Sequence, residues 1–169
     1  INNKKNFGQS YSIRKGIELS NYENILTIDG DGQNNPNDIP KLIEVYQKKN
    51  LQLISGIRYK RKDNFIKKFT SKVANNVRSF ILKDNCTDTG CSLKLFKRNI
   101  FLKIPYFSGI HRFIPSIFNA LNCKINYINV DHRPRLKGVS KYGTIYRLYR
   151  GIIDIVKVIR IIKIIKKNV

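Results

Sequence analysis

Two aspartates at i and i+2, Asp29 and Asp31, stand in the run Thr27-Ile28-Asp29-Gly30-Asp31-Gly32-Gln33, directly after the apolar stretch Ile25-Leu26-Thr27-Ile28. A short apolar run that ends on such a turn suits a buried strand, and ligands of α/β sheets gather beyond the ends of strands. Two carboxylates in a Gly-flanked turn can hold a divalent cation through oxygen and leave positions for water and nucleotide phosphates. The chain has only eight Asp, so a pair here is informative. The alternative is an Asp-rich turn whose side chains bond their own backbone. An EF-hand-like calcium loop is excluded: counted from Asp29, the positions that need Gly and Glu hold Asn34 and Pro40. Mg²⁺ or Mn²⁺ bridging a diphosphate is the preferred expectation.

A second constellation is the loop from Asp131 to Gly143, where Arg133, Arg135, Lys137 and Lys141 put four cations into nine residues. Arg presents a planar fork of donors to phosphate oxygens, Lys a mobile point charge, and Gly138 and Gly143 let the loop fold over a ligand. A solvated basic loop is the alternative. Asp88, in Cys86-Thr87-Asp88-Thr89-Gly90-Cys91, precedes a candidate strand and is either a general base or a turn-forming residue. His111 and Arg112 open a short helix after Gly109, and Arg58 stands just beyond a candidate strand, exposed or facing phosphate.

Alternating elements position these residues. Helix-like spacing over residues 9–21 leads into the strand at Ile25–Ile28, and Pro36 and Asp38 open a helix through Ile39, Leu42, Ile43 and Tyr46. Strands are expected at Leu53–Ile57 and over residues 92–96 and 124–130, and a short helix over Arg112–Leu121 despite Pro115. Phe65, Phe69, Val73, Val77 and Phe80, with Lys67, Lys68, Lys72 and Arg78 between them, predict a basic amphipathic helix. Strands alternating with helices predict an α/β fold.

Thr144–Lys167 is the most periodic segment, with one charged stripe through Arg147, Arg150, Asp154, Lys157, Arg160, Lys163 and Lys166. No stretch of about 18 to 20 residues in it is free of charge, so a helix in the membrane interface is expected rather than a spanning one. A helix docked on its own sheet is the other reading.

Thirty-three Lys plus Arg against 11 Asp plus Glu leave a net charge of +22, which calls for an anionic partner. With 41% hydrophobic and 11% aromatic residues the chain can bury a core, so a disordered basic tail is excluded and one compact domain is expected. Cys86, Cys91 and Cys123 lack the spacing of a zinc site and read as reduced, cytosolic thiols. No signal peptide is visible, and a chain of 169 residues that opens on Ile1 and contains no Met reads as part of a longer protein.

Six segments, in order, resemble the family 2 glycosyltransferases of the polyprenyl-phosphate type, the group that includes dolichol-phosphate mannose synthases. They are NFGQSYSIRKGI (Asn6–Ile17), LTIDGDGQNNPNDIPKLI (Leu26–Ile43), SGIRYKRKD (Ser55–Asp63), DTGCSLKLFKR (Asp88–Arg98), GIHRFIPSI (Gly109–Ile117) and HRPRLKGVSKYG (His132–Gly143). The resemblance implies a GT-A nucleotide-diphospho-sugar transferase fold over residues 1–143 that starts after the opening nucleotide-binding strands, roughly 60 residues. A fragment without those strands is expected to recognise its donor incompletely. Residues 144–169 would form the interfacial helix.

The resemblance further implies that Asp29 and Asp31 meet the metal and the donor diphosphate, with Gln33 lining the same site. Arg58, Arg133, Arg135, Ser140 and Lys141 would contact donor and acceptor phosphates, and His111 and Arg112 would sit near the acceptor mouth. Asp88 matches the acidic residue near the reacting centre. A lipid phosphate is already ionised at neutral pH, so positioning matters more than base strength, and Asp88 can instead orient Arg58, Lys94 or the acceptor.

The expected enzyme is metal-dependent and inverting. It moves a sugar from a GDP- or UDP-sugar to a polyprenyl phosphate, bound peripherally to an anionic membrane surface on its cytoplasmic side. A soluble or polysaccharide acceptor is the nearest alternative and would require Asp88 as a true base. A nucleic-acid-binding module is the alternative of another class; it leaves Asp29 and Asp31 unexplained, and no RNP1-like run is present.

Overall fold

A computed structural model of the chain describes residues 2–59, 76–134 and 144–167, with the backbone alone for residues 144–150. In chain order it forms α1 (Gln9–Glu18), β1 (Asn24–Thr27), a single 3-10 turn (Pro36–Asp38), α2 (Ile39–Lys48) and β2 (Leu53–Arg58). There follow the helical residues 76–82 (α3), β3 (Lys94–Lys97), α4 (Arg98–Leu102), α5 (Ile110–Ala120), β4 (Ile125–Val130) and α6 (Thr144–Lys167). Sequence periodicity anticipates all of these but α4, whose five residues are too few to establish a period. Asn35 caps the 3-10 turn, its side-chain oxygen accepting from the Asn37 N–H at 3.1 Å, and Pro36 at the first position needs no donor.

The four strands form one mixed sheet in the order β1-β3-β2-β4. β3 runs antiparallel to both β1 and β2, and β4 is parallel to β2, so β1, β2 and β4 all point the same way. Their carboxyl ends and the amino end of β3 therefore share one edge of the sheet. This topology delivers Asp29, Arg58, Asp131 and the loop over residues 88–92 to the same place.

Alternation along the strands supplies two cores. Ile25, Leu53, Phe96 and Ile125 face α1, α4, α5 and α6, packing with Ile17, Phe101, Ile114, Phe118 and Val158. Leu26, Ile54, Leu95 and Val130 face the other side, against Leu42 and Tyr46 of α2. The result is a sheet covered on both faces, the α/β architecture the alternation predicts.

Two helices depart from the simplest amphipathic reading. In α3 the expected apolar side is turned outward: Phe80 is 86% and Val77 52% exposed, while Arg78 is buried. Burial is tolerated because the Arg78 guanidinium donates to Asp84 Oδ2 at 2.6 Å, to Ser116 Oγ at 3.0 Å and to the Cys86 carbonyl. The remainder of the basic helix expected from Phe65, with Phe69, Val73, Lys67, Lys68 and Lys72, lies outside the described residues. α6 is docked on its own core through Val158, Ile165 and the buried Asp154, and it also turns Ile152, Val156 and Ile164 to the outside.

All three cysteines are free thiols. Among the described residues no helix is long and apolar enough to cross a membrane.

Candidate active site

A cleft of about 1200 Å³ opens at the shared edge of the sheet, between α1, β1, the first turn of α5 and the loop before β3. Asp29, Arg58, Asp88, His111 and Arg112 all line it, so five of the residues singled out in the sequence converge there.

Asp29 is fixed from two directions. Its backbone N–H donates to Ser92 Oγ at 3.1 Å, and its Oδ1 accepts from Gln9 Nε2 at 3.0 Å. Ser92 Oγ also accepts from Asn34 Nδ2 at 2.8 Å, so one hydroxyl ties both ends of the acidic turn to the loop that precedes β3. Asp31 Oδ1 accepts from the Gln33 N–H at 3.1 Å, which is the self-bonded turn of the alternative reading, made by one oxygen.

Gln33 reaches the chain after β4. Its Nε2 lies 3.3 Å from His132 Nε2 and 3.4 Å from the Arg133 carbonyl, while its own carbonyl accepts from the Arg133 N–H at 2.8 Å. Asn34 and His132 form an isolated antiparallel bridge, and the Arg133 guanidinium donates to Asn35 Oδ1 at 2.7 Å. The first basic residue of the phosphate-loop candidate is thus held against the acidic turn. Arg135, Ser140 and Lys141 lie outside the described residues.

Arg58 and Asp88 form a two-pronged ion pair, with Nε to Oδ2 at 2.7 Å and Nη2 to Oδ1 at 2.6 Å. Asp88 Oδ2 accepts the Arg58 backbone N–H as well, at 3.1 Å. Both carboxylate oxygens are therefore occupied by the residue that ends β2, a bidentate geometry that fixes the plane of the guanidinium. Gly90 makes room for it: a Cβ there would lie 2.6 Å from Arg58 Nη2.

His111 and Arg112 occupy the first turn of α5, after Gly109 at φ 104°. Ser10 Oγ accepts from the Gly109 N–H at 2.8 Å and lies 2.8 Å from His111 Nδ1. The serine hydroxyl can donate to that nitrogen or accept from it, and either way it fixes the ring against α1. Burial, helped by Arg112 and Lys94, pushes the imidazole down from its usual range to about 4. His111 is a neutral hydrogen-bonding group near pH 7, not a cation. Arg112 turns instead toward α6, where it pairs with the buried Asp154, and Lys157 Nζ lies 3.8 Å from the same carboxylate.

Sequence reasoning assigns no site role to Gln9, Ser10, Ser92 or Asp154. For Ser10 and Asp154 the one signal is a polar side chain at a buried helix position, which becomes informative only after the elements are packed. Lys94 is another such residue, a lysine inside the strand run Leu93-Lys94-Leu95-Phe96.

Residues 1–105 match the family described as Glycosyl transferase family 2. The chain is 37% identical over 154 residues to a dodecaprenyl-phosphate galacturonate synthase of Rhizobium johnstonii, covering 89% of this chain and 45% of the relative. It is 29% identical over 142 residues to an undecaprenyl-phosphate 4-deoxy-4-formamido-L-arabinose transferase of Aeromonas hydrophila, covering 84% and 43%. A transferase of the same name from Pectobacterium carotovorum is 30% identical over 138 residues, covering 82% and 42%. A mixed α/β sheet with an acidic turn and an arginine–carboxylate pair at one edge is consistent with a truncated GT-A glycosyltransferase domain. The chain belongs to glycosyl transferase family 2, and it spans less than half the length of these curated relatives.

Proposed function

We propose that the protein containing this chain moves a sugar from a GDP- or UDP-sugar to a polyprenyl phosphate at the cytoplasmic face of a membrane. The observation that carries this reading is the convergence of Asp29, the Arg58–Asp88 pair and the His111–Arg112 turn in one cleft, in a chain whose relatives bear polyprenyl-phosphate transferase names.

Enzymes of this family commonly use a divalent metal. The acidic turn fits Mg²⁺ or Mn²⁺, because Asp29 and Asp31 offer hard carboxylate oxygens two residues apart. Among the described residues no group of three or more His, Cys, Asp and Glu gathers to hold an ion, so the remaining positions would fall to water and donor phosphates. An ion bound there would offset charge on the departing nucleoside diphosphate.

The chain's own residues supply positioning. Asp88 orients Arg58, whose guanidinium stabilises phosphate charge at the end of β2. Neutral His111 stands at the cleft wall as a hydrogen-bonding group. The acceptor phosphate is already ionised, so its oxygen attacks the anomeric carbon directly as the bond to the leaving diphosphate breaks. No proton needs a base, and the displacement inverts the anomeric centre.

α6 supports attachment to a surface. Its outer side carries Ile152, Val156 and Ile164 beside Arg160 and Lys163, a mixture that suits the headgroup region of an anionic membrane. The outward Val77 and Phe80 of α3 add apolar area.

The test uses the complete open reading frame with labelled nucleotide sugars, Mg²⁺ or Mn²⁺ and polyprenyl phosphate in detergent. Metal-dependent label in the organic phase that is lost in Asp31→Asn is the expected result. Label only in a polar product would overturn the lipid acceptor and return Asp88 to the role of base.

A further inference from the structure

Lys94 is among the largest fully buried side chains of the described residues, and no site reading yet accounts for it. It opens β3 in register with Thr27 of β1 and Ser55 of β2, so the three side chains project from the same face of the sheet, beneath the cleft that Lys94 also lines. An ammonium group has three donors. Among the described residues one acceptor, the Cys91 carbonyl, meets them.

The neighbouring groups do not neutralise it. Among the described residues no carboxylate lies within ion-pair distance of Lys94; Asp88 is committed to Arg58, and Asp29 accepts from Gln9. The nearby thiols of Cys86 and Cys91 are pushed up by burial and stay protonated, hence uncharged. The Ser55 hydroxyl, fully buried opposite Lys94, has no hydrogen-bond partner among the described residues. Burial also drives the Lys94 ammonium below its ordinary range, against a weaker upward pull from Asp88 and Asp29.

A buried cation without a counter-charge is costly to keep. It is retained where a ligand brings the missing anion. We propose that Lys94 is a phosphate-binding residue of the cleft, an ammonium at its floor that meets an anionic oxygen of a phosphate-bearing substrate. This assignment rests on the glycosyl-transfer reading. It adds a cation beneath the site to the arginines at its rim. The phosphate belongs either to the nucleoside diphosphate or to the prenyl phosphate, and the two are separable by experiment.

Lys94→Met removes the charge in an apolar side chain of similar length, and Lys94→Gln removes it while keeping a donor for the Cys91 carbonyl. Calorimetric titration of the complete protein would use UDP and GDP with Mg²⁺ in one arm and farnesyl phosphate in the other, with thermal unfolding of each unliganded variant. The expected result is a loss of about tenfold or more in affinity in one arm, as befits a charge-assisted contact, with no fall in the melting temperature of at least one variant. Loss in the first arm assigns Lys94 to the donor, loss in the second to the acceptor. A folded variant that binds both ligands within about twofold of wild type overturns the assignment alone. Failure of both variants to fold also overturns it, by making the ammonium a structural group. Wild-type protein that binds neither ligand overturns the glycosyl-transfer reading, and the assignment falls with it.

Discussion

Arg58 and Asp88 are joined at three points: two guanidinium nitrogens and the Arg58 backbone N–H all donate to one carboxylate, at 2.7, 2.6 and 3.1 Å. The pair is nearly buried, with side-chain exposures of 16% and 8%, where a charge-assisted contact is little screened by water. It joins the end of β2 to the loop that carries Ser92, and Ser92 in turn holds Asp29 and Asn34. The Arg58–Asp88 contact is thus linked through this loop to the acidic turn.

Gly90 tests that arrangement without touching either charged residue. In Gly90→Ala the new methyl would stand 2.6 Å from Arg58 Nη2 and 3.6 Å from Asp88 Oδ1, so the guanidinium must move. The displaced atom is the end of a long side chain, so the stability cost is small, about 1 kcal/mol. Turnover is expected to fall by about tenfold or more while the melting temperature moves by a few degrees. Unchanged kcat would show that the guanidinium's position is immaterial.

His111 predicts a pH dependence of stability. Its folded value of about 4 lies below the ordinary histidine value of 6.5, so between those limits the unfolded chain binds a proton that the folded chain does not. The stability present above pH 6.5 is therefore lost as pH falls toward 4, on the order of 3 kcal/mol in all. Urea unfolding at pH 7 and pH 5 should show the fall in wild type and a shallower one in His111→Gln. Equal slopes in the two proteins would refute the buried, neutral imidazole.

The outer side of α6 predicts lipid dependence. Arg160→Glu with Lys163→Glu reverses two exposed charges and leaves the buried Asp154, Val158 and Ile165 untouched. Each basic residue near an anionic surface is worth about 1 kcal/mol, so binding should fall by more than tenfold. Sedimentation with phosphatidylglycerol vesicles measures it, and unchanged sedimentation would leave α6 as a docked helix only.

Local pattern carried most of the elements and the acidic pair. The period of 3.6 marks α2 and α6, the short apolar runs mark β1 and β2, and Asp29 with Asp31 announces a strand-end site from neighbouring residues alone. For α3 the same spacing marks a helix but does not say which side meets the core; the paired carboxylate of Asp84 decided that Arg78 goes inside.

By itself the sequence determined the α/β class, the strand-end acids, the basic character of the chain and the length of its last helix, since each is a property of contiguous residues. Tertiary structure alone decided that β3 runs antiparallel between β1 and β2. It alone joined Arg58 to Asp88 across 30 positions and Ser10 to His111 across 101. It also buried Lys94 with no carboxylate of the described residues at ion-pair distance. Such pairings depend on which elements pack together and in what register, and a linear pattern carries the preference of each element but not the partner that satisfies it.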